Sequence, residues 1–329
     1  METSRGTVAV IGCGRAGASI AFHLTASGRI SQLILNDLDQ DKVSGEEFDL
    51  TDASGFQNGA PVIRQGDLRD CAAAQVAVIA AGAPRMPGQT EAENFRLTRE
   101  TCLKITDGLT AGGFQGVLFL LCSKVDTVLQ DIRQHFSIPA KRLIGLGNGL
   151  NAERLRLYME RCCGLEAGSV RDFYLMGNYQ DPCGTFSTAM AGEHPLEQVL
   201  REKGFCPPYQ ELLHFPQERG SVITVLKYPT YYGVAAAVSA AAAAILGDER
   251  RCFSLSAQLQ GEYGISGLFA SVPVRLGKGG AEEILELPLN REEKERFIRS
   301  AADIKQENEK YLSSEKGEMT DESIHAGMV

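Results

Sequence analysis

Gly12, Gly14 and Gly17, in the run Gly12-Cys13-Gly14-Arg15-Ala16-Gly17, have the types and spacing that point most directly to chemistry. An apolar run, Val8-Ala9-Val10-Ile11, precedes them, and Ala18–Ser27 follows as a helix that Gly28 should end. A second apolar run, Leu33-Ile34-Leu35, stops at Asn36-Asp37. Strand, glycine turn, helix, strand and acid, in that order, predict a dinucleotide site. Gly12 allows a tight turn, Gly14 lets the backbone approach a pyrophosphate, and Gly17 lets helix and strand pack closely. The helix N-terminus offers unpaired N–H groups and a positive dipole end to phosphate. Asp37, about twenty residues past Gly17, is placed to accept hydrogen bonds from a ribose, and its charge repels a 2′-phosphate. NAD is therefore expected over NADP. The competing reading is a glycine turn in a domain that has lost its cofactor.

Other elements must carry this site. Val76–Gly82 reads as a buried strand ending in small residues, so a nucleotide can lie against Ala81 and Gly82. Ala83–Thr90 is rich in loop formers and suits a mobile lid. Helices are expected at Glu46–Leu50, Glu91–Leu109, Lys124–Phe136 and Asn151–Cys163, and strands at Pro61–Ile63, Gly116–Cys122 and Arg142–Gly145. This alternation implies a doubly wound parallel sheet, an N-terminal Rossmann unit, with the cofactor across the carboxyl ends of its strands. Beyond it, Val170–Met176 reads as one strand and Gly177–Gly184 as a turn-rich loop. The alanine run within Val222–Ala244 suits a core helix or a subunit interface. Ser254–Leu259 and Leu268–Arg275 suit an antiparallel meander, and Arg291–Tyr311 a charged amphipathic helix. The expected division is an NAD-binding domain at 1–147, an α/β substrate domain at 148–312, and a polar tail at 313–329.

Composition excludes several classes. The 329 residues are 43% hydrophobic and 23% charged, which suits a globular chain with ample core. No run approaches the ~18 apolar residues that a bilayer span needs. Met1–Arg5 leads into a strand without a signal-peptide pattern, so a cytoplasmic protein is expected, with no membrane partner. A net charge of −9 argues against nucleic acid. The nine cysteines are scattered and show no metal spacing, so no metal is expected. They read as reduced, buried thiols.

The chain to about Leu312 resembles the lactate/malate dehydrogenases. The matching stretches are Val10–Gly14, Ala81–Gly88, Arg142–Gly145, Lys227–Gly233 and Ser300–Ala302, in family order and spacing. The resemblance implies bound NAD, a Rossmann domain followed by an α/β substrate domain, a small carboxylate substrate, and a homodimer or homotetramer. It also exposes departures at the catalytic positions. Where the family loop reads G-E-H-G-D, this chain has Gly177-Asn178-Tyr179-Gln180-Asp181, so Tyr179 replaces the proton-exchanging histidine. The family's L-D-x-x-R helix is here Leu150-Asn151-Ala152-Glu153-Arg154. Asn151 replaces the histidine-orienting aspartate, and Arg154 keeps the carboxylate-binding arginine. Glu91 stands where the lid carries a carbonyl-polarising arginine. Ser123-Lys124 replaces the family's Asn-Pro, with Ser123 grouped among the cofactor contacts and Lys124 among the catalytic residues. Arg85 occupies the position where malate dehydrogenases recognise a second carboxylate, and Thr230 joins the substrate contacts.

These changes share a physical pattern. Tyrosine has an ordinary pKa of about 10, against about 6.5 for histidine, so it donates a proton without ever carrying positive charge. A buried aspartate beside it would lack a cationic partner, and Asn151 removes that cost. Glu91 inverts the sign of the lid and favours an ammonium or iminium group. Lys124 restores positive charge or lowers the pKa of Tyr179 if the two are close. Each of these residues also has a bland reading as loop packing, a solvated lid charge, a helix start or a structural ion pair. Two functional readings remain open. One is an NAD-dependent oxidoreductase with a re-tuned site, acting at C2 of an unusual 2-oxo/2-hydroxy or 2-imino/2-amino acid. The other is an inactive pseudo-dehydrogenase that binds NAD(H) as sensor, scaffold or partner subunit. NAD-dependent glycosidase chemistry is disfavoured, since the chain is short and lacks a Cys/His metal set.

Overall fold

The computed structural model describes residues 5–57, 59–82, 88–227 and 229–312. The first half runs β1 (Gly6–Ile11), α1 (Arg15–Ala26), β2 (Ile30–Asn36), α2 (Gln40–Ser54), β3 (Val62–Gln65), α3 (Leu68–Cys71), β4 (Val76–Ile79), α4 (Glu91–Ala111), β5 (Val117–Leu120), α5 (Val125–His135) and β6 (Leu143–Gly145). The second half runs α6 (Gly149–Cys162), β7 (Val170–Arg171), β8 (Leu175–Met176), β9 (Cys183–Gly184), β10 (Met190–Ala191), β11 (His194–Pro195), α7 (Leu196–Glu202), α8 (Tyr209–Lys227), α9 (Tyr232–Leu246), β12 (Arg251–Gln260), β13 (Ser266–Gly277), β14 (Gly280–Ile284) and α10 (Arg291–Leu312).

Strands β4, β5 and β6 are buried throughout, which is why they read as unbroken apolar runs rather than alternating ones. They join a nine-stranded sheet in the order β14-β13-β12-β6-β5-β4-β1-β2-β3. Strands β1 to β6 pair in parallel. The order reverses between β1 and β4, and a crevice opens there at the carboxyl ends of the strands. The expected meander is present and longer than its apolar cores suggested. It extends the same sheet, because Ser256 of β12 pairs antiparallel with Gly145 of β6.

Helix starts explain much of the local order. Asp39 caps α2 by accepting from Lys42 N. Thr90 and Glu93 form a reciprocal capping box at the start of α4 and fix Glu91 as its first residue. The alanine run packs within the core: Val234, Val238 and Ala241 of α9 share a buried cluster with Ile20 and Leu24 of α1. Small side chains there let the two helices approach closely.

Two expectations need correction, and one helix had no expectation at all. Val170–Met176 is not one strand, because Asp172 adopts a left-handed φ of 56° and ends β7. Strand β7 then pairs with β10, while β8 pairs with β9. Tyr209–Lys227 is a helix that the sequence hid, because Pro216 lies inside it and reads as a breaker. The cysteines are all free, but Cys162 and Cys206 are exposed rather than buried. Among the described residues no helix is long and apolar enough to cross a membrane.

Candidate active site

The glycine turn has the geometry its spacing predicts. Gly12 has φ 96°, and a Cβ there would lie 2.7 Å from Ala81 N. A Cβ on Gly17 would lie 1.8 Å from Gly12 O, so this contact between helix and turn excludes any side chain. A Cβ on Gly14 would meet nothing within 4 Å, which leaves open space at the N-terminus of α1. Gly12 N donates to Asn36 O at 2.7 Å and brings the turn beside Asp37. Asp37 Oδ2 accepts from Cys13 N at 2.6 Å, and its Oδ1 accepts from Asp39 N at 3.2 Å. These bonds fix the carboxylate at the end of β2. Burial pushes the Cys13 thiol up to about 12, so it has no thiolate chemistry at neutral pH.

A cleft of about 280 Å³ continues from the turn, lined among others by Gly82, Thr98, Ser123, Thr230 and Val234. It unites the start of α1 and the segments after β4 and β5 with the start of α9. Open space at Gly14, the backbone contacts of Gly12 and Gly17, and the anchored Asp37 together fit a dinucleotide.

Arg154 stands at the far edge of this cleft. Its Nη1 donates to Asn151 Oδ1 at 3.1 Å and to Pro216 O at 3.3 Å, and its Nη2 donates to Thr230 Oγ1 at 3.4 Å. Gly220 makes room for the guanidinium, since a Cβ there would lie 2.9 Å from Nη1. Among the described residues Arg154 has no carboxylate partner. Burial lowers its pKa; the nearby Tyr179 opposes that shift, and Arg219 adds to it. A half-buried guanidinium held only by neutral oxygens is a ready anion clamp.

The loop after β8 is pinned from three sides. Gly177 N donates to Ser271 O at 2.7 Å, Asn178 N donates to Ser300 Oγ at 2.7 Å, and Asn148 Nδ2 donates to Gly177 O and Asn178 O, each at 3.2 Å. Gly177 has φ 82°, and a Cβ there would lie 2.3 Å from Ser300 Oγ. The backbone at Tyr179 is thus fixed, and its carbonyl accepts from Gln217 Nε2 at 2.5 Å. The side chain itself is 49% exposed and makes no hydrogen bond to Asn151 or Lys124 among the described residues. Asn151 is 2% exposed, and its Nδ2 has no partner.

Lys124 and Glu91 meet each other. Lys124 Nζ lies 2.5 Å from Glu307 Oε1 and 3.2 Å from Glu91 Oε1. Burial alone would lower the pKa of Lys124, but hydrogen bonds and charge from Glu307 and Glu91 outweigh it and raise the pKa. Arg85 lies outside the described residues. The structure thus brings together Asn151, Arg154 and Thr230, and separately Glu91 and Lys124. Sequence reasoning missed Glu307, Gln217, Asn148 and Ser271, whose roles come only from distant packing. Ser300 lay in a recognised stretch, but nothing there showed that it anchors the loop. Among the described residues, no group of three His, Cys, Asp or Glu side chains could hold a metal.

A doubly wound sheet with a glycine-turn cleft and an anion clamp defines a dinucleotide-binding α/β protein. The family pattern for the lactate/malate dehydrogenase NAD binding domain matches residues 6–145, and that for the lactate/malate dehydrogenase alpha/beta C-terminal domain matches 149–315. The chain belongs to the lactate/malate dehydrogenase family, and its cofactor is NAD. It is 31% identical over 308 residues to an L-lactate dehydrogenase of Shouchella clausii, covering 92% of this chain and 94% of that one. It is 31% identical over 304 residues to an L-lactate dehydrogenase of Staphylococcus saprophyticus, covering 91% and 94%. The crystal structure of the minor L-lactate dehydrogenase from Enterococcus mundtii in its ligand-bound form superposes with a TM-score of 0.88 at 27% identity, covering 94% of this chain and 99% of that one.

Proposed function

We propose that this chain is an NAD-dependent oxidoreductase acting at C2 of a small 2-oxo or 2-hydroxy carboxylate, or the corresponding 2-imino or 2-amino acid. The observation that carries the reading is Arg154, a half-buried cation without a carboxylate partner among the described residues, bonded to Thr230 at the edge of the cofactor cleft. When bound, NAD(H) supplies or accepts the hydride. Arg154 holds the substrate carboxylate through two N–H donors, and Asn151, bonded to the same guanidinium, holds it in place. Tyr179 delivers the proton to the substrate's C2 oxygen as hydride reaches the carbon, and takes it back in the reverse direction. The half-exposed hydroxyl then recovers its proton from water. Lys124 positions rather than reacts, since Glu307 and Glu91 occupy its ammonium. The positive group that Glu91 meets is thus Lys124 itself. In this reading residues 1–147 bind NAD and 148–312 bind substrate. We read the functional form as a homodimer or homotetramer; exposed Val222, Val225 and Leu226 on the second half of α8 support self-association.

The test is single-turnover oxidation of bound NADH across a panel of 2-oxo acids, with and without ammonia. Arg154→Lys should remove most substrate affinity, because a point ammonium cannot grip a carboxylate through two bonds. NADH binding without turnover of any acid would instead favour the inactive, cofactor-binding reading. The absence of a hydrogen-bonding partner for the Tyr179 hydroxyl among the described residues supports that second reading.

A further inference from the structure

The backbone turns sharply between β5 and α5. Lys124 is the N-cap of α5, with φ 50° and ψ 43°. Of the five non-glycine residues with left-handed φ among the described residues, Lys124 is the one whose neighbour, Ser123, lines the cofactor cleft. Nothing local accounts for this turn. A left-handed residue with a Cβ is disfavoured, and lysine lacks the short polar side chain that lets Asn or Asp bond its own backbone there. A helix start normally takes Ser, Thr, Asp or Asn in an extended conformation. Lys124 makes no side-chain cap bond, while its carbonyl accepts from Thr127 N at 3.0 Å and Val128 N at 3.2 Å. The proline that the lactate/malate dehydrogenases carry here has φ locked at about −65° and could not adopt this turn.

Tertiary contacts hold it instead. Lys124 Nζ sits between two carboxylates from different helices, Glu307 of α10 at 2.5 Å and Glu91, the first residue of α4, at 3.2 Å. The ammonium also stands 5.3 Å from the centre of the Tyr311 ring, and that ring packs on Phe95 of α4 with centroids 4.7 Å apart. The capping box of Thr90 and Glu93 fixes the start of α4, so Glu91 approaches from a set direction. The Lys124 side chain is only 11% exposed, and relaxing the turn would strand a nearly buried ammonium without its partners. Backbone strain of this kind persists where the surroundings over-determine it, and it collects at ligand sites.

We infer that Lys124 is a positioning residue for the NAD site: its ammonium, clamped between Glu91 and Glu307, holds the left-handed turn that sets Ser123 toward the bound cofactor. Ser123 is exposed in the cleft and lies one residue before the turn. Two departures from the family pattern are then one change. Glu91, where the lid arginine would stand, supplies a carboxylate to the lysine that stands in place of proline. This assignment rests on the NAD site and on Lys124 as a positioning group. It needs no turnover, so it stands apart from the oxidoreductase reading.

The experiment is calorimetric titration of NADH into the full chain without substrate, with the melting temperature measured on each variant. In Lys124→Ala the released turn relaxes and binding has to restore it, so NADH affinity should fall by ~10-fold. Lys124→Gly also lacks the ammonium but takes a left-handed φ at no steric cost. Its affinity should return to within ~3-fold of wild type even though it melts lower. Lys124→Pro cannot make the turn and should bind NADH at least as weakly as Lys124→Ala. Glu307→Gln loosens the clamp and should weaken NADH by ~3-fold in the wild type but not in the Lys124→Gly background. Ser123→Ala should weaken NADH by itself, and Lys124→Ala should then add little. A purely structural lysine predicts lower melting temperatures with NADH affinity unchanged in every Lys124 variant. That result, equal losses in Lys124→Ala and Lys124→Gly, wild-type affinity in Lys124→Pro, or a Ser123→Ala variant that is unaffected or fully additive with Lys124→Ala, overturns the assignment.

Discussion

Asn151 Oδ1 accepts a hydrogen bond from Arg154 Nη1 at 3.1 Å, so a neutral side chain orients the cation at the cleft edge without consuming its charge. An aspartate there, with no histidine to engage, would form an ion pair with Arg154. Asn151→Asp should therefore weaken binding of a 2-oxo acid to the NADH complex by about 10-fold, equivalent to ~1.4 kcal/mol. Coupling it with Tyr179→His should recover part of that loss and raise pyruvate reduction above wild type. Additive losses in the double variant, measured by stopped-flow NADH oxidation, would show that the two positions do not act as a unit.

Tyr179→Phe removes the phenolic hydroxyl and keeps the ring. Because the side chain is half exposed and its backbone is held by Gln217, melting temperature and NADH affinity should be unchanged. Turnover of the best substrate should fall by ~10²-fold or more. A variant with wild-type single-turnover rate would remove tyrosine from the proton path.

Asp37 is anchored to the backbone at Cys13 and Asp39, so its charge cannot swing away from a 2′-phosphate. NADH should bind at least ~10-fold tighter than NADPH, and Asp37→Ser should narrow that gap by losing NADH affinity and gaining NADPH affinity. Fluorescence titration of both cofactors measures it; equal affinities for the wild type would contradict the assignment.

Asp126 is buried behind the site, where Ser256 Oγ donates to it. Burial raises its pKa from the ordinary 3.8 to about 7; the hydrogen bond from Ser256 opposes this, and the charge of Glu307 adds to it. The folded state thus holds a proton that the unfolded state has lost between pH ~4 and ~7, so this group's contribution to stability declines as pH rises through that window. Asn at this position does not titrate. The stability of Asp126→Asn relative to wild type should therefore increase with pH by up to ~1.4 kcal/mol per unit across the window, read from urea denaturation. A pH-independent difference would mean that Asp126 is ionised when folded.

Short-range chemistry was legible in the chain itself. Gly12, Gly14, Gly17 and Asp37 announce a dinucleotide turn, because each answers a local steric or electrostatic demand within one βαβ unit. The apolar runs of β4 and β5 likewise read as buried strands, since a sheet covered on both faces leaves no polar alternation. The absence of histidine from the loop at Tyr179 and of aspartate at Asn151 was equally visible, because both lie in short motifs of fixed spacing. What Lys124 does was not visible. Its partners, Glu91 and Glu307, come from different helices, and only the packing of α10 across the start of α5 brings their charges together. Helix α8 was hidden because Pro216 removes a backbone donor, a local penalty that the burial of Leu212 and Leu213 offsets. That helix delivers the Pro216 carbonyl and Gly220 to Arg154. The types of the site residues were thus written locally. Which of them act together was decided by contacts between segments far apart in the chain, whose energies depend on burial that no stretch of sequence carries alone.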